Sequence, residues 1–239
     1  MRIRSARPPK PLAFVRGAGR VEIFFATMKT DLSFFDHVLS TTRSVRWKLD
    51  LRRPVEKGVL LECIRLASFA PNASNAQAWR WIVVDDPEEK RAIAEHYRAG
   101  MMATMEALLA ERERNGDEAG VRHSRAVIHL GRILEQVPVL VIPCIAGRVE
   151  DDPTLGGLTR LFGSIYPAVW SFQLALRSRG LGSTLTTSHL LAEREVGDRL
   201  GIPRDVTQAA LIPVAHLRGG ELSPPPRGAV EDVVSWNGW

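Results

Sequence analysis

The sequence predicts a single mixed domain of helices and short strands, preceded by a basic extension. Its 239 residues, 45% of them hydrophobic, are enough to bury a sizeable core, and this length suits one larger domain better than two small ones. Apolar residues at helical spacing alternate along the chain with short apolar runs of strand length. These two patterns together predict a fold that contains both α-helices and β-strands.

The first predicted helix spans residues 54–70, where apolar side chains recur at helical spacing and Pro54 occupies the first turn. It has to end before Pro71, because proline disfavours helical geometry in the residue that precedes it. Residues 79–84 and 139–142 are predicted as buried strands. Further helices are predicted over residues 87–99, 101–114, 122–137, 165–179 and 192–200, and further strands over residues 182–186 and 208–216.

Two segments are predicted to lack regular structure. Residues 148–159 form a polar stretch that contains Gly156 and Gly157, which suits either a lid on the substrate side or a plain surface loop. After Pro224, Pro225 and Pro226 the chain should extend across a surface rather than fold on itself.

The net charge of +5 is concentrated at the N-terminus. Six basic residues and one acidic residue lie before residue 28, so the rest of the chain is neutral. A neutral domain with a basic tail argues against a duplex-tracking surface on the domain. Residues 1–32 are therefore predicted to be a disordered basic extension and residues 33–239 the folded domain. An organellar targeting peptide and a translation start at Met28 are the alternatives for the extension.

Cysteine and histidine usage excludes several classes of site. The two cysteines, Cys63 and Cys144, lie in apolar patterns and are predicted to be buried thiols, which favours a reducing cytoplasm over a disulfide framework. The six histidines are scattered, so no metal site is predicted. The motifs of Rossmann, P-loop, serine-hydrolase and zinc-protease sites do not occur in the sequence.

Two short polar motifs flank the first predicted helix. Residues 43–46 read Arg-Ser-Val-Arg, and residues 71–79 read Pro-Asn-Ala-Ser-Asn-Ala-Gln-Ala-Trp. A guanidinium cluster and an amide-rich loop at the two ends of one helix suit a ligand with phosphate at one end and a planar, amide-edged heterocycle at the other. Flavin mononucleotide (FMN) is such a ligand. Taken alone, the arginines could equally be surface charges, and the Asn and Ser residues could simply cap a turn.

These motifs resemble the FMN-dependent nitroreductase family. Residues 43–46 are similar to its R-S-x-R signature, and residues 71–79 to its P-S-x-x-N-x-Q-x-W loop. Residues 180–187, residues 201–203 followed by 209–214, and residues 226–234 are similar, in the same order, to later segments of the family, so the resemblance covers nearly all the chain from about Ser33 onward. Asn72 and Ala78 stand where many relatives have serine and proline, which makes the substrate pocket harder to predict.

The resemblance implies a role for each motif. Arg43 and Ser44 would contact the FMN phosphate and ribityl end, and Arg46 the ribityl and pyrimidine edge, where its charge favours reduced, anionic flavin. Asn75 would bond the pyrimidine edge. The full set of cofactor-binding residues implied in this way is Arg43, Ser44, Arg46, Pro71, Asn72, Ser74, Asn75, Gln77, Thr186, Thr187 and Arg227.

Two of these assignments have plain structural alternatives. Thr186 and Thr187 would lie beside the flavin ring, although a threonine pair in a strand is often there only for its β-propensity. Arg227 would help to hold the phosphate, or would be an ordinary tail charge. Pro226 stands where relatives commonly have a second basic residue, so phosphate binding should depend more on Arg43.

The resemblance also implies the fold, the assembly and the reaction. The fold would be an α+β α-β-α sandwich with a central, mainly antiparallel sheet, assembled as an intertwined homodimer with FMN at each interface. NADH or NADPH would reduce FMN, and the flavin would then reduce a nitroaromatic, a quinone or a similar electron-poor acceptor. No catalytic residue of the protein itself is predicted, because the chemistry takes place on FMN. Nucleic acid and membranes are not expected partners.

Two other functions remain open from the sequence. A flavin-binding protein without turnover would store FMN or sense redox state, if Trp79, Trp81 and Trp170 crowd the ring and block a nicotinamide. A nucleic-acid-binding module that uses the basic tail is the third hypothesis. Trp236 and Trp239 are predicted to pack against a neighbouring subunit rather than on the cofactor.

Overall fold

The computed structural model describes residues 31–239. The predicted basic extension, the alternatives for it and the hypothesis of nucleic-acid binding through it therefore fall almost entirely outside the described residues. The helices are α1 (Leu32–Thr41), α2 (Lys57–Ala67), α3 (Pro87–Arg114), α4 (Glu118–Ile133), α5 (Leu155–Arg177) and α6 (Glu193–Leu200). The strands are β1 (Leu49–Asp50), β2 (Trp79–Val84), β3 (Val139–Ala146), β4 (Leu181–Ser183), β5 (Val206–Gln208) and β6 (Ile212–Leu217).

The strands form one sheet in which every strand pair is antiparallel. β3 pairs with β2 along one edge and with β6 and β5 along the other. β6 in turn pairs with β1 and β4. The mainly antiparallel sheet predicted from the resemblance is confirmed.

β3 is buried on both faces of the sheet. Val139, Val141 and Ile145 face a core built with α2 and α5, whereas the alternate residues Leu140 and Ile142 face a second core built with α3, α4 and α6. A strand with apolar residues at every position needs helices on both sides. The result is the α-β-α sandwich.

The structure contains two strands, β5 and β6, where a single strand was predicted over residues 208–216. β3 pairs with β5 at Cys144↔Gln208 and with β6 at Val141↔Ile212, so the β5–β6 side contains one residue more than β3. This count is that of a β-bulge, and it lies opposite Pro143, which has no N–H to donate. The Pro143 carbonyl still accepts a hydrogen bond from the Ala209 N–H at 2.9 Å.

Several predicted helix limits were also wrong. α2 starts three residues after the predicted start and ends three residues before the predicted end, and α5 begins at Leu155 instead of residue 165, so part of the predicted polar loop is helical. Thr154 caps α5, because its hydroxyl accepts a hydrogen bond from the Gly157 N–H at 3.1 Å. α1 was not predicted from the sequence.

α3 replaces two predicted helices with one of 28 residues that passes through Gly100. A glycine inside a helix costs only about 1 kcal/mol relative to alanine, so it does not end the helix by itself. A Cβ at this position would lie 3.0 Å from Leu191 Cδ1 and 3.2 Å from the Ser188 carbonyl oxygen. The glycine therefore allows the 3-10 turn at Ser188–Ala192 to approach α3 closely.

Substitution of Gly100 by leucine should lower the free energy of unfolding by about 1–3 kcal/mol, because the new side chain has to displace this turn. The matched control is Gly58→Leu in α2, where a Cβ would meet nothing within 4 Å. That variant should be unchanged or up to about 1 kcal/mol more stable. Urea denaturation measures both, and equal effects at the two glycines would contradict the account of Gly100.

Candidate flavin site

The loop that carries the first motif is fixed to the sheet. The buried Val45 donates its N–H to the Ser183 carbonyl in β4 at 2.9 Å. A Cβ on Gly182 would lie 3.2 Å from the Val45 side chain and 2.7 Å from that of Leu217, so the glycine permits this close packing. With Val45 held in this way, Arg43 and Ser44 are exposed at the surface.

Arg46 is partly buried, and the described part of the chain gives it no counter-charge. Its Nε has no hydrogen-bond partner, and within residues 31–239 no carboxylate lies within ion-pair distance of Arg46 or of Arg43. Burial lowers the pKa of Arg46, and Tyr97 opposes that effect. A desolvated cation without a partner costs free energy, which an anionic ligand would recover. This arrangement favours an anion-binding site.

Tyr97 connects the first motif to the threonine pair. The residue is 1% exposed, and its hydroxyl lies 3.0 Å from Thr186 Oγ1, at hydrogen-bond distance. Thr186 forms a bridge to Leu211 in the same register as the β4–β6 ladder, whereas Thr187 is exposed. The loop before β1, helix α3 and the segment after β4 thus meet at one place. Tyr97 was not predicted from the sequence, although a buried tyrosine in a helix does signal that its hydroxyl needs a partner.

The second motif forms a strained loop. Ser74, Asn75 and Gln77 all have positive φ, at 54°, 51° and 49°, in a region that residues other than glycine seldom adopt. The Asn72 side chain accepts a hydrogen bond from the Gln77 N–H at 2.9 Å, and the Gln77 side chain donates to that of Asn75 at 3.1 Å. Clustered backbone strain of this kind is often found at functional sites.

Ser164 attaches this loop to α5. Its hydroxyl accepts a hydrogen bond from the Ala73 N–H at 3.0 Å and donates to the Arg160 carbonyl at 2.7 Å. Asn72, Ser74 and Ser164 line one cavity of 310 Å³ together with Arg148 and Arg160.

The two motifs lie at different cavities of the chain. Arg43, Ser44 and Arg46 line a cavity of 320 Å³, which shares no lining residue with the cavity beside Asn72. Arg227 is exposed and lines neither of these two; its guanidinium donates to the carbonyl of Pro226. One chain therefore brings together Arg43, Ser44, Arg46 and, through Tyr97, Thr186, but it does not join them to the residue 71–77 loop or to Arg227.

The cavity beside the second motif is lined in part by Arg148, which forms a salt bridge that was not predicted. Arg148 donates to both carboxylate oxygens of Glu193 at 2.7 and 2.9 Å and to the Val206 carbonyl at 2.9 Å. The Arg148 side chain is 11% exposed and that of Glu193 18%. Hydrogen bonding to Arg148 lowers the pKa of Glu193, and hydrogen bonding to Glu193 raises the pKa of Arg148. No short sequence pattern marks this pair, because its members are 45 positions apart.

Cys63 and Cys144 are free, buried thiols, as predicted. Burial raises the pKa of Cys63 to about 11 and that of Cys144 to about 12, so both stay protonated near neutral pH. Across residues 31–239, no group of three His, Cys, Asp or Glu side chains is placed to hold a metal ion. Nor is any helix of this range long and apolar enough to cross a lipid bilayer.

The fold is an α-β-α sandwich: an antiparallel sheet lies between two helical layers, and polar loops lie next to β4 and β2. Residues 39–216 match the family described as Nitroreductase, and the chain belongs to the nitroreductase family. A protein named "Putative NAD(P)H nitroreductase YdgI", from Bacillus subtilis (strain 168), is 28% identical over 193 residues, which cover 79% of this chain and 88% of that protein. A protein named NADH dehydrogenase, from Thermus thermophilus, is 50% identical over 42 residues, 18% of this chain and 20% of that protein.

Solved structures share the fold at low sequence identity. An oxidized iodotyrosine deiodinase bound to FMN and 3-iodo-L-tyrosine superposes with a TM-score of 0.67 at 21% identity, over 86% of this chain and 100% of that chain. A BluB-like flavoprotein from Clostridium difficile 630 superposes with a TM-score of 0.61 at 20% identity, over 84% of this chain and 98% of that chain.

Replacement of Glu193 by glutamine should lower the free energy of unfolding at pH 7 by about 2–4 kcal/mol, because a mostly buried guanidinium loses its two-pronged carboxylate partner and keeps only the exposed Glu150, 3.3 Å from its Nε. The folded pKa of Glu193 lies below its ordinary value of 4.5, so the stabilisation is present above pH 4.5 and is lost as the pH falls through the folded pKa. The difference between wild type and variant should therefore shrink in acid.

The matched control is Glu118→Gln, which removes an exposed ion pair with Arg122. It should cost less than about 1 kcal/mol at any pH. Urea denaturation between pH 3 and pH 7 gives all the required values. If the loss of stability in Glu193→Gln did not depend on pH, the charge of Glu193 would not be the cause of that loss.

Proposed function

We propose that this protein is an FMN-dependent oxidoreductase that works as a homodimer. NADH or NADPH would reduce the bound flavin, which would then reduce a nitroaromatic, a quinone or a similar electron-poor acceptor in a ping-pong sequence. The observation that carries the proposal is Arg46, a desolvated cation with an unpartnered Nε that interacts electrostatically with Tyr97, whose hydroxyl in turn lies 3.0 Å from Thr186 Oγ1. Membership of the nitroreductase family supports the same conclusion.

The residues present fit FMN. The exposed Arg43 and Ser44 offer a planar fork of donors and a hydroxyl, which suit the terminal phosphate. Arg46 lies deeper, and its charge would stabilise negative charge at the pyrimidine edge of a reduced ring. Thr186 is fixed by Tyr97 and by the bridge to Leu211, so it would form a firm wall beside the ring. Bound FMN would supply the hydride chemistry; the protein has to orient the ring and leave one face open.

A homodimer explains why the two motifs lie apart in one chain. A ligand that contacts both the loop at residues 43–46 and the loop at residues 71–77 would need the second loop from a partner subunit. Large apolar side chains are exposed on α2, on α5 and at the turn after α2, which supports such contact: Leu61 is 66% exposed, Phe69 74% and Trp170 42%. Contiguous apolar surface of this kind is common at interfaces. The exposed Trp236 and Trp239 of the C-terminal segment are also available for it.

The relatives support the proposed partners of the reaction. FMN is bound in the iodotyrosine deiodinase structure, and a nitroreductase whose mutants superpose with TM-scores of 0.60 is described as FMN and NADPH-dependent. No side chain is proposed as a general acid or nucleophile. The buried free thiols suit a reducing compartment, and the cytoplasm is part of the proposal.

A flavin-binding protein without turnover is the competing function. Of the three tryptophans that would crowd the ring, Trp79 is buried in the core and Trp81 packs on Phe172 with ring centroids 5.1 Å apart. Only Trp170 is exposed among the three. Anaerobic mixing with NADPH separates the two functions: bleaching of the flavin supports the oxidoreductase, and a flavin that stays oxidised supports storage.

The purified protein should be yellow and should release FMN, not FAD, on denaturation. Chromatography of the released cofactor, with authentic FMN and FAD as standards, checks this. Protein that is colourless and cannot be reconstituted with FMN would refute the proposed function.

Arg43→Ala should weaken FMN binding by about 2–4 kcal/mol, since one partner of a charge-assisted contact is lost. Arg43→Lys should recover only part of the loss, because the planar fork is absent. The control is Arg91→Ala, an exposed arginine on α3 that lines neither motif cavity. Titration of the apoprotein with FMN measures all three; full affinity in Arg43→Ala would show that the phosphate lies elsewhere.

Asn75→Ala should keep most of the flavin, because one neutral hydrogen bond is worth only about 0.5–1.5 kcal/mol. Its effect should appear in the midpoint potential, because an amide at the pyrimidine edge contacts the part of the ring whose charge changes on reduction. Spectroelectrochemistry compares it with Arg43→Ala. If Arg43→Ala shifted the potential and Asn75→Ala did not, the two ends of the ligand would be assigned the wrong way round.

A further inference from the structure

Trp47 is an ordered aromatic side chain that the core does not use. It follows Arg46 directly, and the residue is 54% exposed. Its indole stacks on the His129 imidazole of α4 with ring centroids 3.7 Å apart and an interplanar angle of 14°. Burial lowers the pKa of His129, and the charges of Arg218 and Arg132 lower it further, so all three effects favour the neutral imidazole. The stacked pair fixes an exposed aromatic surface in advance of any ligand.

Two cavities meet at Trp47. One is the 320 Å³ cavity of the motif at residues 43–46. The other has a volume of 370 Å³ and lies between α3 and α4, where Leu109, Arg125, His129 and Arg132 line it. A long ligand could therefore leave the first cavity past the indole and enter the second. We call the second cavity the Trp47–Arg132 cavity.

The charges of the Trp47–Arg132 cavity suit a phosphate. Arg125 pairs with Glu113 at 2.9 Å, and Arg132 pairs with Glu106 at 3.6 Å. The two arginine side chains are 61% and 67% exposed. Ion pairs as exposed as these contribute little to stability, so a phosphate can replace the carboxylates at small cost. Guanidinium groups also match phosphate geometry through paired donors.

We propose that the Trp47–Arg132 cavity binds the adenosine 2′-phosphate half of NADPH. The adenine packs on the exposed surface of Trp47 and His129, and the 2′-phosphate lies between Arg125 and Arg132. Stacking on an indole suits any adenine, whereas the two arginines distinguish NADPH from NADH. As the binding site of the reductant, this assignment rests on the proposed oxidoreductase function. The adenylate of FAD has the same ring but lacks the 2′-phosphate, so the test separates the two.

Direct binding tests the site without any turnover. Calorimetry on the purified full-length protein uses 2′-AMP and 5′-AMP as probes. In the wild type 2′-AMP should bind at least about tenfold more tightly than 5′-AMP, on the scale of one charge-assisted contact. Trp47→Ala should weaken both, and Arg132→Ala should weaken only 2′-AMP. Arg122→Ala, which removes an exposed α4 arginine outside the cavity, should change neither.

Steady-state kinetics then tests whether the cavity acts on the reductant, through the KM for NADPH and for NADH. Arg132→Ala should raise KM for NADPH about tenfold and leave KM for NADH unchanged. Trp47→Ala should raise KM for both but not for reduced nicotinamide mononucleotide, which lacks the adenosine half. An equal loss with the mononucleotide would overturn the proposal, because the indole would then act on the flavin or on the fold.

Three other results would also overturn it. The first is that the wild type does not detectably bind 2′-AMP, and the second is that it binds 5′-AMP more tightly than 2′-AMP. The third is that Trp47→Ala dissociates the dimer in sedimentation experiments, because the indole would then be a subunit contact. Failure of the oxidoreductase function would look different. The protein would lack flavin or fail to be reduced, while the calorimetric result with the two nucleotides would stand on its own.

Discussion

Burial of β3 on both faces is the constraint on which the rest of the structure depends. Because its apolar side chains alternate between two cores, α2 and α5 have to cover one face and α3, α4 and α6 the other. The polar segments are then left at the ends of the strands and helices. The motif at residues 43–46 lies against β4, and the motif at residues 71–77 leads into β2. The places where the chain can bind a ligand thus follow from how the central strand is covered.

The sandwich also explains how the protein can hold the Arg46 guanidinium, whose Nε has no hydrogen-bond partner within residues 31–239, away from water. Arg46 comes from a loop, Tyr97 from α3 and Thr186 from the segment after β4, and each element is held by its own packing on the sheet. The strained backbone of Ser74, Asn75 and Gln77 is similarly held by Asn72 and by the Ser164 hydroxyl. Desolvated charge and backbone strain both cost stability, and both occur in the segments that the proposed function assigns to the flavin.

Much of the fold could be predicted from local patterns. Residues 79–84 form β2 as predicted, and the two motifs occupy loops next to the sheet. The bulge opposite Pro143 could not be predicted, because register depends on the partner strand. Two helices were predicted on either side of Gly100, but one helix passes through it, and the glycine allows the approach of Leu191, a residue distant in sequence. Tyr97 was missed because its position fits the helical core pattern, and the separation of the two motif cavities appears only in three dimensions.

The central claim, that one site is built from two chains, is tested most directly with mixed dimers. One chain would carry Arg43→Ala and Arg46→Ala; the other would have residues 72–77 replaced by glycine and serine. Each variant alone should bind no FMN as a homodimer. A purified mixed dimer should bind one FMN, because one interface combines the intact arginines of one chain with the intact loop of the other. A mixed dimer that bound none would contradict the account, since it would place both motifs of each site in the same chain.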